Sequence, residues 1–389
     1  MKDIKYYLAE DTIDNNDIDK LIEWLKTYPR LTKGKLTVDF EKKWSNWLGR
    51  KHSVFCNSGS SANLLMYYTL LISGVLKNKK IIVPSVGWVT TIAPAIQFGF
   101  EPIMCESDKE TFGLDLDHLE QLLKKHNPST VIMVQVLGVP HKMEKLLALK
   151  EKYGFILLED ACAAMGSSYH NKKVGAFGDM SSFSFYFGHQ ISTIEGGAVS
   201  TDNKIFNNIL LMLRSHGWGK DLEKETNLKL IEKYKIDGFH SPFVFYEPGF
   251  NLRSTDLNAF LGILQIDKMD WLVSKRWENH NLYKKLLGNN FYIQKYENSV
   301  VCSIHFGMLA KDMEERKKIV KALDGNGIET RIFSAGNLGL HPFWFNRFGK
   351  ASFPMADRIH YSGLFLPNNP SLNPEDIEFI SKVVLNSIK

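Results

Sequence analysis

Several things are scarce in this sequence, and each scarcity closes a route. No run of about 18 apolar residues occurs, so no membrane-spanning helix is expected. The opening residues MKDIKYYLAEDTIDNND lack an apolar core and do not read as a secretory signal. There are 4 cysteines, Cys56, Cys105, Cys162 and Cys302, and no two of them form a CxxC pair. Neither a zinc site nor an iron–sulfur cluster is therefore suggested, no metal is expected, and a reduced, cytoplasmic setting is the default. The formal net charge is only +5. Its surplus lies in separate pairs such as Lys79–Lys80, Lys124–Lys125 and Lys284–Lys285, not in one basic helix, so nucleic acid is not an expected partner. No internal repeat, low-complexity tract or flexible linker is present.

What is present is enough chain for a sizeable core: 389 residues, 44% of them hydrophobic. Two amphipathic helices are expected at Asp17–Tyr28 and Val38–Leu48. Strands then alternate with helices. The strands read as Ser53–Cys56, Ile81–Pro84, Pro102–Cys105, Val131–Leu137 and Phe155–Asp160. The helices read as Leu64–Leu71, Ile92–Gln97, Leu116–Lys125 and Lys142–Tyr153. That alternation predicts an α/β fold with a mainly parallel sheet between helices. Ser182–Phe187 reads as a buried strand followed by a turn from Gly188 to Ile194, then a strand at Ala198–Asp202 and a helix at Ile205–Leu213. Gly219–Gly238 is charged and without period, and reads as a surface excursion or interface arm. Beyond it, Thr255–Leu286 is long and helical, Phe291–Leu309 gives two strands, and Met313–Leu323 a helix. A strand at Glu329–Ile332 and a helix at Glu375–Ser387 follow. The expected division is a large α/β domain over 1–250 and a small C-terminal α+β domain over 251–389.

Ligands of such sheets sit at the carboxyl ends of the strands. Four features fall there: Asn57–Ser61, Trp88, Asp160 and His189. The Asn-Ser-Gly-Ser-Ser turn opens a helix, where backbone N–H groups and the Ser60 and Ser61 hydroxyls can hold a phosphate. An N-cap cluster without ligand is the plain alternative. Trp88 offers a flat face, although a lone tryptophan is more often core. Asp160 ends an apolar run, which implies burial, although an isolated Glu-Asp pair more often caps a helix. His189 offers a base. A phosphorylated aromatic ring with a basic nitrogen would use the first three, and pyridoxal phosphate is such a ring.

The motifs NSGSSANLL, LLEDA, VGAFGD, SFSF, EGG, RSHGW and GFNLRSTDLNAFLGI stand in that order. In this the chain resembles the vitamin B6-dependent sugar-nucleotide aminotransferases of DegT type (fold type I), from about Leu31 onward. The resemblance implies pyridoxal or pyridoxamine 5'-phosphate as cofactor, L-glutamate as amine donor and a homodimer with shared active sites. It puts Ser60, Ser61 and Ser184 on the phosphate, Asp160 on the ring nitrogen and Trp88 on the ring face. Asn251 would reach the cofactor and Arg253 the substrate, both across the dimer; His216 and Arg331 would face the substrate. Two positions depart from the pattern. The residue six before the Glu of EGG is the family's cofactor-tethering lysine, and here it is His189. Ala163 stands where a polar side chain is usual. Histidine has no primary amine but can act as general base and acid. The branch of the family with histidine here removes the C3 hydroxyl of a GDP-4-keto-6-deoxy sugar, so a 3-dehydratase (a lyase) supplying 3,6-dideoxy sugars, hexose or heptose, is the leading expectation. A sugar-nucleotide 4-aminotransferase is the second and a non-catalytic nucleotide-sugar-binding protein the third. A further branch with histidine here carries an iron–sulfur cluster, against which the scattered cysteines argue.

Overall fold

The computed structural model describes residues 4–389, so the first three residues of the N-terminal stretch read above lie outside it. The chain opens with α1 (Asn15–Leu25) and α2 (Lys35–Leu48). The alternating region follows: β1 (His52–Cys56), α3 (Gly59–Ser73), β2 (Lys80–Pro84), α4 (Val89–Gln97), β3 (Glu101–Cys105), α5 (Leu116–His126), β4 (Thr130–Val134), α6 (Met143–Tyr153) and β5 (Ile156–Asp160). A short hairpin, β6 (Ser168–Tyr169) and β7 (Lys172–Lys173), precedes β8 (Met180–Ser184), β9 (Gly197–Thr201), α7 (Lys204–Arg214) and α8 (Lys224–Lys233). The remainder comprises α9 (Asp256–Ile266), α10 (Met269–Leu287), β10 (Tyr292–Ile293), β11 (Ser299–Val300), β12 (His305–Leu309), α11 (Met313–Gly325), α12 (Pro342–Phe348), α13 (Pro354–Ser362), β13 (Gly363–Pro367) and α14 (Pro374–Asn386).

The main sheet runs β1-β9-β8-β5-β4-β2-β3. Its four pairings from β8 to β3 are parallel, and the two involving β9 are antiparallel. The mainly parallel α/β fold is as the sequence predicts. Strand side chains alternate between faces. Ile81, Val83, Leu158 and Met180 pack into one core with Leu65, Met66 and Leu70 of α3 and Leu210 and Leu213 of α7. Ile82, Val131 and Leu157 pack on the other face with Leu119, Leu123, Leu146 and Leu149. Each fully buried aliphatic side chain contributes roughly 1.5–3 kcal/mol, so this alternation fixes which strand-end residues face α3.

A smaller antiparallel sheet, β10-β12-β13, carries its own core with Tyr283 and Leu287 of α10, α11 and α14. The helix α9 packs instead with α2 in the core around Trp44 and Phe183. We propose that the large and small domains divide at residue 250. No helix among the described residues is long and apolar enough to cross a membrane.

Several expected elements differ. The helix expected over Thr255–Leu286 is two helices, because α9 and the end of α10 belong to different cores. At the break Lys268 pairs with Asp14 and Asp17 near the start of α1, both at 2.6 Å. Glu329–Ile332 is not a strand: it lies beside β13, the edge of the small sheet, but only Ile332 forms a bridge, to Leu364. Gly219–Gly238 contains α8, a helix with no buried residue and therefore no apolar stripe to betray it. The strand expected at Val131–Leu137 ends at Val134, and Leu137 takes a left-handed conformation (φ 52°). The strand expected at Ser182–Phe187 runs from Met180 to Ser184 instead, as β8, and a turn closes behind it through Thr193 N–H donating to Phe185 O at 2.8 Å.

Candidate active site

The end of β5 shows how alternation builds the site. Glu159 and Asp160 are adjacent, so they point to opposite faces. Glu159 accepts the backbone N–H groups of Gly175 and Phe177 at 3.0 and 2.7 Å and pins that loop. Asp160 shares a face with Leu158, toward α3. Its Oδ2 accepts from Asn63 Nδ2 at 3.0 Å and Thr91 Oγ1 at 2.6 Å, and its Oδ1 from the Cys162 N–H at 3.2 Å. Asn63 is held in turn by Ser182, whose hydroxyl donates to Asn63 Oδ1 at 2.7 Å. Asp160 is 5% exposed, yet no lysine or arginine pairs with it among the described residues. A buried carboxylate held only by neutral donors has room for a cation.

The same face of β8 carries Ser182 and Ser184. A Cβ on Gly59, the first residue of α3, would lie 2.6 Å from Ser184 Cβ and 3.1 Å from Cys162 Sγ. Ser184 thus sits against the first turn of α3, a spacing that glycine permits. A Cβ on Gly197 would lie 2.2 Å from Ser58 O, so β9 also needs glycine to pass this turn. Ser58 caps α3, accepting from Ser61 N–H at 3.1 Å. The two serines proposed from sequence lie in the helix's first turn, with Ser61 buried and Ser60 exposed. First-turn N–H groups have no acceptor within the helix, which suits an anion.

Trp88 is the N-cap of α4, one turn before Thr91, and its ring is half exposed. His189 lies beyond β8, its N–H donating to Tyr186 O at 2.9 Å. The residue is half-buried, but Nδ1 is wholly buried and has no partner, which leaves Nε2 as the accessible nitrogen. Burial pushes the imidazole down to about 4; the Asp160 charge opposes this, and the Arg276 and Arg331 charges add to it. It is neutral at physiological pH, the state of a base.

Arg331 is exposed, outside any strand, with its guanidinium 5.3 Å from the centre of the Phe365 ring. His305, at the start of β12, lies against the same ring at 5.0 Å. It is almost fully buried, with Nδ1 unpartnered and the imidazole held well below the usual histidine range by burial. Ala163 has no polar side chain to offer, but its carbonyl accepts from Gln190 Nε2 at 3.2 Å.

His216, Asn251 and Arg253 form a separate cluster. Arg253 Nε donates to Asn251 Oδ1 at 3.0 Å, and an Arg253 guanidinium nitrogen lies 3.4 Å from His216 Nε2. Gly217 permits this crossing, since a Cβ there would lie 1.6 Å from Glu247 O. Asn57 N–H donates to Leu252 O at 3.0 Å, which sets the cluster beside the turn leading into α3. Among the described residues, no hydrogen bond or ion pair joins it to His189 or Asp160.

The sequence reading missed Asn63, Thr91, Ser182, Gln190, Arg276 and His305. Asn63 and Ser182 had a signal, being polar residues inside motifs already singled out, and Thr91 lies three residues past Trp88. His305 and Arg276 had none, because only the fold brings them beside His189.

These residues suit a pyridoxal-type ring: a first helical turn with two serines and Ser184, a buried unpaired carboxylate and a neutral base with an open nitrogen. The DegT/DnrJ/EryC1/StrS aminotransferase family model matches residues 11–385. A GDP-4-keto-6-deoxy-D-mannose 3-dehydratase of Yersinia pseudotuberculosis is 32% identical over 340 residues, 86% of each chain. A GDP-perosamine synthase of Caulobacter vibrioides is 27% identical over 382 residues, 95% of each chain. A solved GDP-4-keto-6-deoxymannose-3-dehydratase, crystallised with a trapped PLP-glutamate geminal diamine, superimposes with a TM-score of 0.90 at 28% identity. That match covers 98% of this chain and 100% of the other.

Proposed function

Since the chain belongs to the DegT/DnrJ/EryC1/StrS aminotransferase family, we propose that it is a pyridoxal-phosphate-dependent 3-dehydratase of a GDP-4-keto-6-deoxy sugar, with His189 as base and acid. The protein is an enzyme, and pyridoxal phosphate, with its aminated form, is its cofactor. The observation that carries the reading is the neutral imidazole of His189, which feels the Asp160 charge, and among the described residues no lysine is hydrogen-bonded or ion-paired to Asp160. The nearest lysines N-terminal to it in sequence are engaged elsewhere: Lys172 Nζ lies 4.8 Å from the Phe177 ring centre and Lys173 Nζ 4.7 Å from that of Trp47.

When bound, the cofactor supplies an amine and an electron sink. Asp160 would balance a protonated ring nitrogen, oriented by Asn63 and Thr91. Ser60, Ser61 and Ser184 would hold the phosphate, and Trp88 would cover the ring face. His189 would accept a proton at Nε2 and return it to the departing C3 oxygen. Arg331 would meet the substrate. His216 and Asn251, exposed in one chain, and the half-buried Arg253 would complete the site of a second copy in a homodimer. The work would take place in the cytoplasm, on a soluble nucleotide sugar, with glutamate regenerating the amine.

The similarity to GDP-perosamine synthase favours a second reading, amino transfer to C4, which requires a tethering amine. Borohydride treatment of the purified protein with pyridoxal phosphate separates the two. The dehydratase reading expects an unmodified protein mass, and a covalent cofactor adduct would sink it.

A further inference from the structure

Among the described residues two arginines are fully buried, and they are buried differently. Arg214 has Glu41 and Asp221 beside its guanidinium. Arg276 of α10 is 2% exposed and has no carboxylate partner among the described residues. A buried charge without a counter-charge is costly and needs a reason.

Its hydrogen bonds supply one. One terminal nitrogen donates to Asn368 O at 2.6 Å, Ile304 O at 3.2 Å and Ser303 O at 3.4 Å. The other donates to His189 O at 3.4 Å. Gln190 fastens the next residue to the same segment, Nε2 donating to Cys302 O at 2.8 Å. Asn368 closes the arrangement, donating to Arg276 O at 3.3 Å and to Ser303 O at 3.0 Å. Two long side chains thus staple His189 and Gln190 to residues 302–304, immediately before His305. The charged and titratable groups whose field reaches the imidazole are Asp160 from β5, Arg276 from α10, Arg331 from the segment before Ile332, and His305 from β12. Asp160 is the one negative charge among them.

We propose that Arg276 is a positioning residue for His189, clamping its loop to the backbone of 303–304 and 368 and setting a fixed positive charge behind the imidazole. The charge disfavours protonation of a base that must enter the reaction empty-handed. The burial of an unpaired guanidinium then has a purpose that packing alone does not give it. The role serves the base-and-acid reading proposed above, but its test is readable without turnover.

The test uses full-length protein with 13C-labelled histidine, loaded with pyridoxal phosphate. The His189 imidazole resonance is assigned by its loss in His189→Asn and followed from neutral into acid pH. In Arg276→Met the resonance should titrate about one unit higher than in the parent. In Arg276→Lys, which keeps the charge, it should stay within a few tenths of a unit of the parent. Where substrate turns over, Arg276→Met should lower kcat roughly 10–100-fold with little change in KM for glutamate, and Arg276→Lys should restore part of it. Should Arg276→Met not fold, Arg276→Gln, which keeps an amide donor, carries the same comparison. A folded charge-removing variant whose His189 midpoint does not move overturns the proposal even if the enzyme is a dehydratase. Absence of dehydration by the parent protein would instead count against the function, with the titration still deciding on Arg276.

Discussion

Asp160 and His189 stand at the same end of the sheet, and the chain treats them in opposite ways. Asp160 has both oxygens engaged, by Asn63, Thr91 and the Cys162 N–H, and Ser182 stands behind Asn63. His189 has a buried Nδ1 with no partner, and His305 beside it has the same. The carboxylate is held by groups on α3, α4 and β8, all built into the main sheet and its cover. The imidazole is held by its backbone alone, through Arg276 and Tyr186. A fully hydrogen-bonded group is fixed before any ligand arrives. A group with an accessible, unpartnered nitrogen stays free to take up or release a proton.

The largest effect should come from the open side. His189→Asn keeps the size and removes the base, and turnover should fall on the order of 1000-fold while cofactor binding, followed by absorbance, persists. Full activity in that variant would take His189 out of the mechanism. On the fixed side, Asp160→Asn removes the charge but keeps the shape, and should weaken both cofactor retention and kcat, roughly 10–100-fold each. Thr91→Val removes one hydrogen bond to that charge, worth about 1.5–3 kcal/mol, and should cost cofactor affinity without moving the His189 titration.

Acid should separate the two sides by stability. Burial pushes His141 and His189 down to about 4 and His280 down to about 3, and holds His305 well below its usual range. Unfolded histidines titrate near 6.5. Between that value and the folded one the unfolded chain binds more protons, so stability must fall as pH drops through this window. The urea midpoint should therefore decrease from pH ~7 to ~5, and decrease less in His189→Asn. The smallest effect is a null one: Lys172→Gln with Lys173→Gln, at a surface hairpin, should leave kcat within about twofold. A large loss there would reopen the case for a lysine-dependent reaction.

The contrast between the two sides also explains what could be read from sequence. Strand periodicity and the order of motifs located β5, β8, Asp160, Ser184 and the α3 turn, because local pattern decides those. Asn63 and Ser182 lay within quoted motifs, and only the direction of their side chains was hidden. The C-terminal half was less legible. The short helices α12 and α13 and the strand β13 went unread, and a strand was placed at Glu329–Ile332 where the chain is irregular. The small sheet is assembled from segments far apart in sequence, so its register is a tertiary choice. Arg276 and His305 belong to that half, and their relation to His189 exists only once the two sheets are set against each other. The cluster of His216, Asn251 and Arg253 was named from motifs, and in the homodimer we propose it would serve a second copy of the chain.

The most direct test of the central claim, elimination by histidine in place of amino transfer by lysine, is the product mass. The protein is incubated with pyridoxal phosphate, glutamate and a GDP-4-keto-6-deoxy sugar, and the nucleotide sugar and ammonia are measured together. The account predicts a product lighter by a single oxygen atom, formed with ammonia and 2-oxoglutarate in equal amounts. A 4-amino sugar retaining its C3 hydroxyl, formed without ammonia, would contradict it.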